Sequence, residues 1–599
     1  MLSKLSLRSI TLAHISLAFV GVMWVLPFLD FRHGYPITTF YEEWEVVIFG
    51  LCAMLLFTTK RYWQQVEIPR VVLLPIGLLL IVWVQYFLGK IPSVEQTQLL
   101  SLYLLWAALL LMLGHRLRVE LGLPLVARVL AVFLVLGAGL NALAGILQHF
   151  MWHTFLDRVV SIKISAALIG NMGQPNHFAD YIALGLVSIG LLHARGSLRA
   201  WQTALLAVPL LFVLVLSGSR SAWLYLLFMA LMSYLWQRRD RSFLPLMKYA
   251  LWLLLGFTLM QFVVQIPWLA GASGETSTVE RIFGNAQGGT LRIFLWKESL
   301  LIFSRFPFLG AGFGQYAWQH FQLGAELHNL RINGLYDNAH NLVMQLAAET
   351  GLAGLSVLFG TLGFWFWQTW REQHTMYHWW AYAVLAVLGI HSLLEYPLWY
   401  THFIGIAAIA LGMLESTTYR WKPHNLLSYA GRLLAGALLL SGAYTLVQLY
   451  QGYKKLEITL AQHAVRKDDE GYKASLRDGL LDINNNYALM RPLAQVFLAG
   501  MIVPDMNHLE DKLALNDAAM RFKPVDAVVY RQIWLLALAD RLPEAKVQLQ
   551  NALWSYPGLF QAAQAELDRW ALQDPVQFSA LSEFAKQQYA EYQRAAQAK

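Results

Sequence analysis

The chain has 599 residues, of which 57% are apolar, 14% aromatic and only 14% charged, with a mean hydropathy of +0.45 and a formal net charge of +8. A soluble domain carries about a quarter charged residues, so this composition excludes a purely soluble enzyme and, being so apolar, a disordered scaffold. The single cysteine, Cys52, excludes an intramolecular disulfide and a zinc site built on thiolates.

Charge divides at Gln451. Before it stand 28 Lys and Arg against 19 Asp and Glu; after it the counts are 17 and 18. The basic excess therefore belongs to the hydrophobic part, which points to membrane anchoring and argues against a nucleic-acid surface.

A spanning helix needs about 20 mostly apolar residues. Nine such stretches occupy residues 1–264, centred on Ile10 to Leu29, Glu45 to Phe57, Val71 to Leu88, Leu99 to Leu113, Leu125 to Leu147, Phe178 to Leu192, Ala204 to Leu216, Ala222 to Trp236 and Leu246 to Val264. The first lacks a following small-residue cleavage site and is expected to be a retained helix, not a signal sequence. A hydrophilic loop follows over 265–350. Four more stretches lie in 351–450, centred on Leu352 to Trp367, Tyr382 to Leu394, Phe403 to Leu414 and Leu433 to Leu449. With the N-terminus inside, the short inner loops hold 18 Lys and Arg, whereas the short outer loops hold only Arg32, Lys90, Arg158, Lys163 and Arg220. The positive-inside rule then places the N-terminus in the cytoplasm, and the 265–350 loop and the tail outside it.

The tail, 451–599, reads as a soluble helical domain. Glu510 to Pro524 and Glu544 to Pro557 resemble each other, and their closing prolines stand 33 residues apart, near the tetratricopeptide (TPR) period. A partner-binding surface and a plain helical cap are both compatible with that pattern.

Chemistry-bearing residues cluster outside. Asp337-Asn-Ala-His340-Asn341 is followed, after nine residues, by Gly351-Leu-Ala-Gly354. The pattern predicts a helix from Ala339 onward, with His340 at an N-terminus that favours a neutral, proton-accepting imidazole, and with the two glycines allowing close packing. Arg220 lies in the short turn Ser217-Gly-Ser-Arg220-Ser221, and Arg292 in Gly288-Gly-Thr-Leu-Arg292, upstream of Pro307-Phe-Leu-Gly310-Ala-Gly312-Phe-Gly314; Arg281 is a weaker candidate. A lone rim arginine can simply snorkel to lipid, but two guanidiniums on one site would suit a pyrophosphate. Gly170-Asn-Met-Gly-Gln174-Pro-Asn176-His177 offers amides and an imidazole at the same face, or merely a capped turn.

The His340 spacing, the Arg220 turn and the Arg292–Gly314 segment resemble the O-antigen ligase superfamily. Within it, Gly-Asn-Met-Gly-Gln174-Pro-Asn-His and Glu395-Tyr396-Pro-Leu-Trp-Tyr400 are similar to the bacterial protein O-oligosaccharyltransferases of the PglL type. The resemblance covers about Leu5 to Tyr450 and implies an all-α polytopic membrane protein, GT-C-like, with about thirteen transmembrane helices, a large periplasmic loop and a C-terminal TPR-like domain. It implies a bacterial inner-membrane enzyme moving a preassembled glycan from undecaprenyl pyrophosphate to Ser or Thr of an exported protein such as pilin, with inversion and no cofactor. Arg220 and Arg292 are then expected to hold the pyrophosphate and His340 to act as base. Gln174, Tyr396, Tyr400, Asn176, His177, Asn341 and Arg281 are expected to contact donor or acceptor, and Asp337 to orient the imidazole or stay solvated.

Two rivals remain at this stage. A sister activity would ligate O-antigen to lipid A core or polymerise repeats. A transporter or flippase would instead place ionisable groups near the middle of the spans, with paired broken helices, whereas Glu298, Asp337 and the arginines are expected in loops or at rims. The only acidic cluster able to imitate a metal site is Glu42-Glu43-Trp44-Glu45; arginines in place of a metal are the simpler expectation.

Overall fold

The computed structural model describes residues 10–163, 166–269, 287–328, 330, 332–465 and 470–597. All thirteen apolar stretches fall on helices. Among the described residues eight helices are long and apolar enough to cross a membrane, including Val94–Leu121, Leu123–Phe150, Pro175–Ala194 and Leu342–Thr369, with shorter apolar helices at Ala200–Leu216 and Thr401–Leu414. The chain is thus an all-α polytopic protein. Its described strands, Val66–Pro69 and Thr418–Trp421, form one antiparallel ribbon between two segments that the charge count assigns to the same side.

Local chemistry sets the helix ends. Val94–Leu121 and Leu123–Phe150 are separated by Gly122 alone, at φ 79° and ψ 142°, a backbone region open essentially to glycine, and Pro124 starts the second helix. The last hydrophobic stretch does not end at Gln451: one helix runs unbroken over Asn425–Val465.

Compactness divides the chain into two units. The first comprises Met1–Ile76, Tyr103–Gln287 and Leu358–Leu446. Its core contains Trp379, Trp380, Phe178 and Tyr181, all fully buried. Here the helix Met376–Ser392 is tied to Pro175–Ala194 by Trp380 Nε1 donating to Ser188 Oγ at 3.0 Å, and to Ser221–Arg239 by Trp379 Nε1 donating to Ser233 Oγ at 2.9 Å. Such bonds, with close packing, hold helices together where the surroundings are as apolar as the side chains.

The second unit comprises Gly77–Leu102, Gly288–Val357 and Val447–Lys599. The helices of the 287–350 segment and those of the tail therefore belong to one unit. In the tail, Leu509–Phe522 packs on Asp526–Leu538, Asp526–Leu538 on Leu542–Ser555, and Phe560–Gln573 on Pro575–Gln597, around a shared apolar core. The loop chain docks on them: Ala325 N donates to Asn551 Oδ1 at 3.1 Å and Gly334 N to the Ser555 carbonyl at 2.7 Å.

Candidate functional site

In the second unit the helix expected from Ala339 begins at Leu342. Asn341 takes the cap: its Oδ1 accepts from Val343 N at 3.0 Å and Met344 N at 3.1 Å, satisfying amides that a helix start leaves open. That capping displaces His340 to just outside the helix, where it adopts a left-handed backbone with φ 49°. A non-glycine residue there costs about 1 kcal/mol, a strain that persists only when neighbours impose it.

Those neighbours are visible. Asn338 Oδ1 accepts from His340 N at 3.2 Å, Gln345 Oε1 accepts from Ala339 N at 2.7 Å, and Trp296 Nε1 donates to the Ala339 carbonyl at 3.1 Å. Trp296 stands one helical turn after Arg292 on Gln287–Arg305, so Arg292 and His340 sit on elements in direct contact. Asp337 is exposed and accepts from Asn338 Nδ2 at 2.8 Å. Arg281 lies outside the described residues.

The same helix is broken at Gly351, with φ 62° and ψ −154°. The Pro307–Gly314 segment fills the break: Leu352 N donates to Pro307 O at 2.8 Å, Ala353 N to Phe308 O at 3.0 Å, and Ala311 N to Ala348 O at 2.9 Å. Gly351, not Gly354, makes the close approach; a Cβ on Gly354 would meet only Thr350 of its own helix. Gln85 locks the junction, donating to Leu309 O at 2.6 Å and Glu349 O at 2.7 Å and accepting from Phe313 N at 2.9 Å. Lys90 Nζ adds a bond to Gly310 O at 2.8 Å. Gln85 and Lys90 were invisible as site residues, because only the fold brings them to the glycine segment.

Behind these elements His320 Nδ1 donates to Glu298 at 2.9 and 3.0 Å while Nε2 donates to Gly334 O at 3.2 Å. Burial opposes the charged imidazole, but the Glu298 carboxylate outweighs it and raises the His320 pKa above the ordinary value. Both ring nitrogens donate, as an imidazolium requires.

In the first unit the Gly170–His177 loop is rigidly built. Asn171 N donates to Asn141 Oδ1 at 3.0 Å, Gln148 Nε2 to Gly170 O at 2.6 Å, and Leu168 N to Leu216 O at 3.1 Å, just before the Arg220 turn. Gln174 caps its helix, its Oε1 accepting from His177 N at 2.7 Å. Asn176 Nδ2 donates to Glu395 Oε1 at 3.2 Å, joining the two motifs. The His177 ring meets Tyr400 at 5.0 Å, and Tyr396 meets Tyr400 at 5.9 Å. Arg220 is exposed at the head of Ser221–Arg239, above a turn whose Ser217 and Ser219 are buried. The structure thus gathers Gln174, Asn176, His177, Tyr396 and Tyr400 in one unit, where Arg220 also lies, and Arg292, His340 and Asn341 in the other.

The acidic cluster near the N-terminus is distributed among protein partners. Glu43 accepts from Thr39 and Tyr103, and Glu45 pairs with Arg32 at 2.7 Å. Among the described residues no three His, Cys, Asp or Glu side chains gather as metal ligands.

Comparison with known proteins bears on these segments separately. Residues 204–359 match the O-antigen ligase family, 168–193 match a protein glycosylation ligase family, and 379–571 match the C-terminal part of a virulence-factor membrane-bound polymerase family. Among curated proteins, the chain is similar to a general O-oligosaccharyltransferase of Acinetobacter baylyi, 26% identical over 413 residues, which are 67% of this chain and 69% of the relative. It is also similar to a ComP-specific O-oligosaccharyltransferase of the same organism, 23% identical over 402 residues, covering 65% and 69%. The resemblance first carried by the motifs extends over 67% and 65% of the chain in these two relatives.

Proposed function

We propose that this chain, a relative of the bacterial protein O-oligosaccharyltransferases of the O-antigen ligase superfamily, transfers a preassembled oligosaccharide en bloc from undecaprenyl pyrophosphate to Ser or Thr hydroxyls of exported proteins such as pilins. The observation that carries the reading is His340, held in a strained backbone by bonds from Asn338 and, through Ala339, from Gln345 and Trp296. Strain maintained at a polar residue in the matched ligase segment supports a functional constraint there.

In the proposed step His340 takes the proton of the acceptor hydroxyl, whose oxygen attacks the anomeric carbon. The bond from that carbon to the pyrophosphate oxygen breaks, and the lipid pyrophosphate leaves with the electron pair. Arg220 and Arg292 bind the pyrophosphate and stabilise its growing charge, as fixed cations do for an anionic leaving group. One displacement inverts the anomeric centre. Gln174, Asn176, His177, Tyr396 and Tyr400 contact sugar or acceptor. The protein sits in the inner membrane with the site facing the periplasm, and the arginines serve without a divalent cation.

The test supplies purified protein with undecaprenyl-pyrophosphate-linked glycan and, separately, pilin, lipid A core or further lipid-linked glycan, with and without EDTA. Glycan on pilin in both conditions supports the reading. Glycan appearing only on lipid A core or as longer polymer assigns the sister activities whose families match 204–359 and 379–571, and glycan-lipid translocation without transfer assigns a flippase.

A further inference from the structure

In the first unit, Asp180, Tyr225 and His391 meet in the interior of three helices. Tyr225 donates to Asp180 Oδ1 at 2.6 Å and its oxygen is 3.1 Å from His391 Nδ1, while His391 Nδ1 also lies 2.5 Å from Asp180 Oδ2 as an ion-pair contact without hydrogen-bond geometry. Asp180 and His391 are 0% exposed and Tyr225 1%. A buried carboxylate–imidazole pair contributes little net stability, because desolvation offsets the attraction, and an apolar pair of similar volume holds helices as well. Hydrogen bonds Trp380–Ser188 and Trp379–Ser233 already tie these helices together, with Ser188 and Ser233 each eight residues beyond Asp180 and Tyr225 and so further from the motifs.

The placement explains the triad. Asp180 stands six residues after Gln174, Tyr225 five after Arg220, and His391 five before Tyr396. Each member is therefore about one and a half turns from the motif at the end of its own helix or in the segment that follows it. The His391 ring also lies 5.8 Å from that of His177. We infer that Asp180, Tyr225 and His391 are positioning residues: their directional bonds set the mutual register of the helix ends that carry Gln174–His177, Arg220 and Glu395–Tyr396. An apolar contact would allow those ends to slide and rotate, whereas three polar side chains joined through the Tyr225 hydroxyl admit one arrangement.

The inference rests on the proposed transferase reading for its kinetic consequence, but not for its structural one, and the experiment separates them. In full-length protein with Cys52→Ser, the bonded pair Asn176 and Glu395 is replaced by Asn176→Cys and Glu395→Cys, and the yield of a short bis-thiol crosslink is measured with and without Asp180→Asn or Tyr225→Phe. Each triad variant is expected to lower the yield at least threefold while the protein remains monodisperse. With the native motif residues, each is expected to lower kcat for glycan transfer at least tenfold and leave the donor KM within twofold. Should Asp180→Asn fail to fold, the double replacement Asp180→Leu with His391→Leu restores packing and is expected to give folded protein with the same low yield. Unchanged crosslinking in the folded variants overturns the inference whatever the activity; absence of transfer by the unsubstituted protein overturns the transferase reading alone.

Discussion

Gly351 faces Gly310 across a junction so close that a Cβ on Gly351 would stand 2.7 Å from the Gly310 nitrogen and 2.6 Å from the Pro307 carbonyl. Both glycines have positive φ, 62° and 67°. The glycine segment and the broken helix are therefore one construction, in which each break supplies the backbone partners the other needs.

Gly351→Ala is expected to be the costliest single methyl in this region. Backbone strain contributes about 1–3 kcal/mol and the clash with immobile backbone about as much again. Gly354→Ala carries no positive-φ strain but puts a Cβ 2.5 Å from the Thr350 Cβ, which a rotamer change cannot move, and is expected to cost the overpacking term alone, about 1–3 kcal/mol. Thermal unfolding of the two variants checks the order; equal losses would contradict the junction.

Loosening the clamp on His340 is expected to cost rate before stability. Trp296→Phe removes the donor to the Ala339 carbonyl, and Gln345→Ala leaves the buried Ala339 N–H unpaired. A displacement of about 1 Å at a reacting group can lower rate by about a hundredfold. Steady-state transfer assays should show kcat reduced about tenfold or more in both variants, with Trp296→Phe shifting stability by only about 1 kcal/mol.

The His320–Glu298 pair gives a pH dependence with a definite sign. Because the folded-state pKa of His320 is raised, its contribution to stability is complete below the unfolded value of about 6.5 and is lost as pH rises through the folded value. Unfolding midpoints of wild type and His320→Gln, measured from mildly acidic to alkaline pH, should converge as pH rises. A difference that widens would reverse the assignment of charge.

Arg220→Lys and Arg292→Lys test whether the guanidinium itself matters. A lysine keeps the charge but not the planar fork that matches phosphate oxygens. Donor kcat/KM is expected to fall about 10- to 100-fold in each. Snorkelling to lipid headgroups alone would leave both lysine variants fully active.

The helices were legible because an uninterrupted apolar stretch admits little else, and the His340 spacing was legible because it survives in linear order. The start of the His340 helix was not, since Asn341 competes for the cap only once Val343 and Met344 are placed. Nor was the break: Gly351 and Gly354 look alike in sequence, and only the arrival of Pro307–Gly310 distinguishes them. The ionisable groups Asp180 and His391 passed unnoticed within apolar stretches, so the loop and rim positions of Glu298, Asp337 and the arginines do not by themselves tell against a transporter. What tells against a transporter is instead the similarity to oligosaccharyltransferases.

The central claim is that His340 activates the acceptor hydroxyl. Its most direct test is the single-turnover rate of glycan transfer to a serine-bearing acceptor protein, at saturating lipid-linked donor, in wild type and His340→Ala. General-base catalysis predicts a loss of about 10²- to 10⁴-fold with donor binding retained; an alanine variant that transfers at the wild-type rate would contradict it.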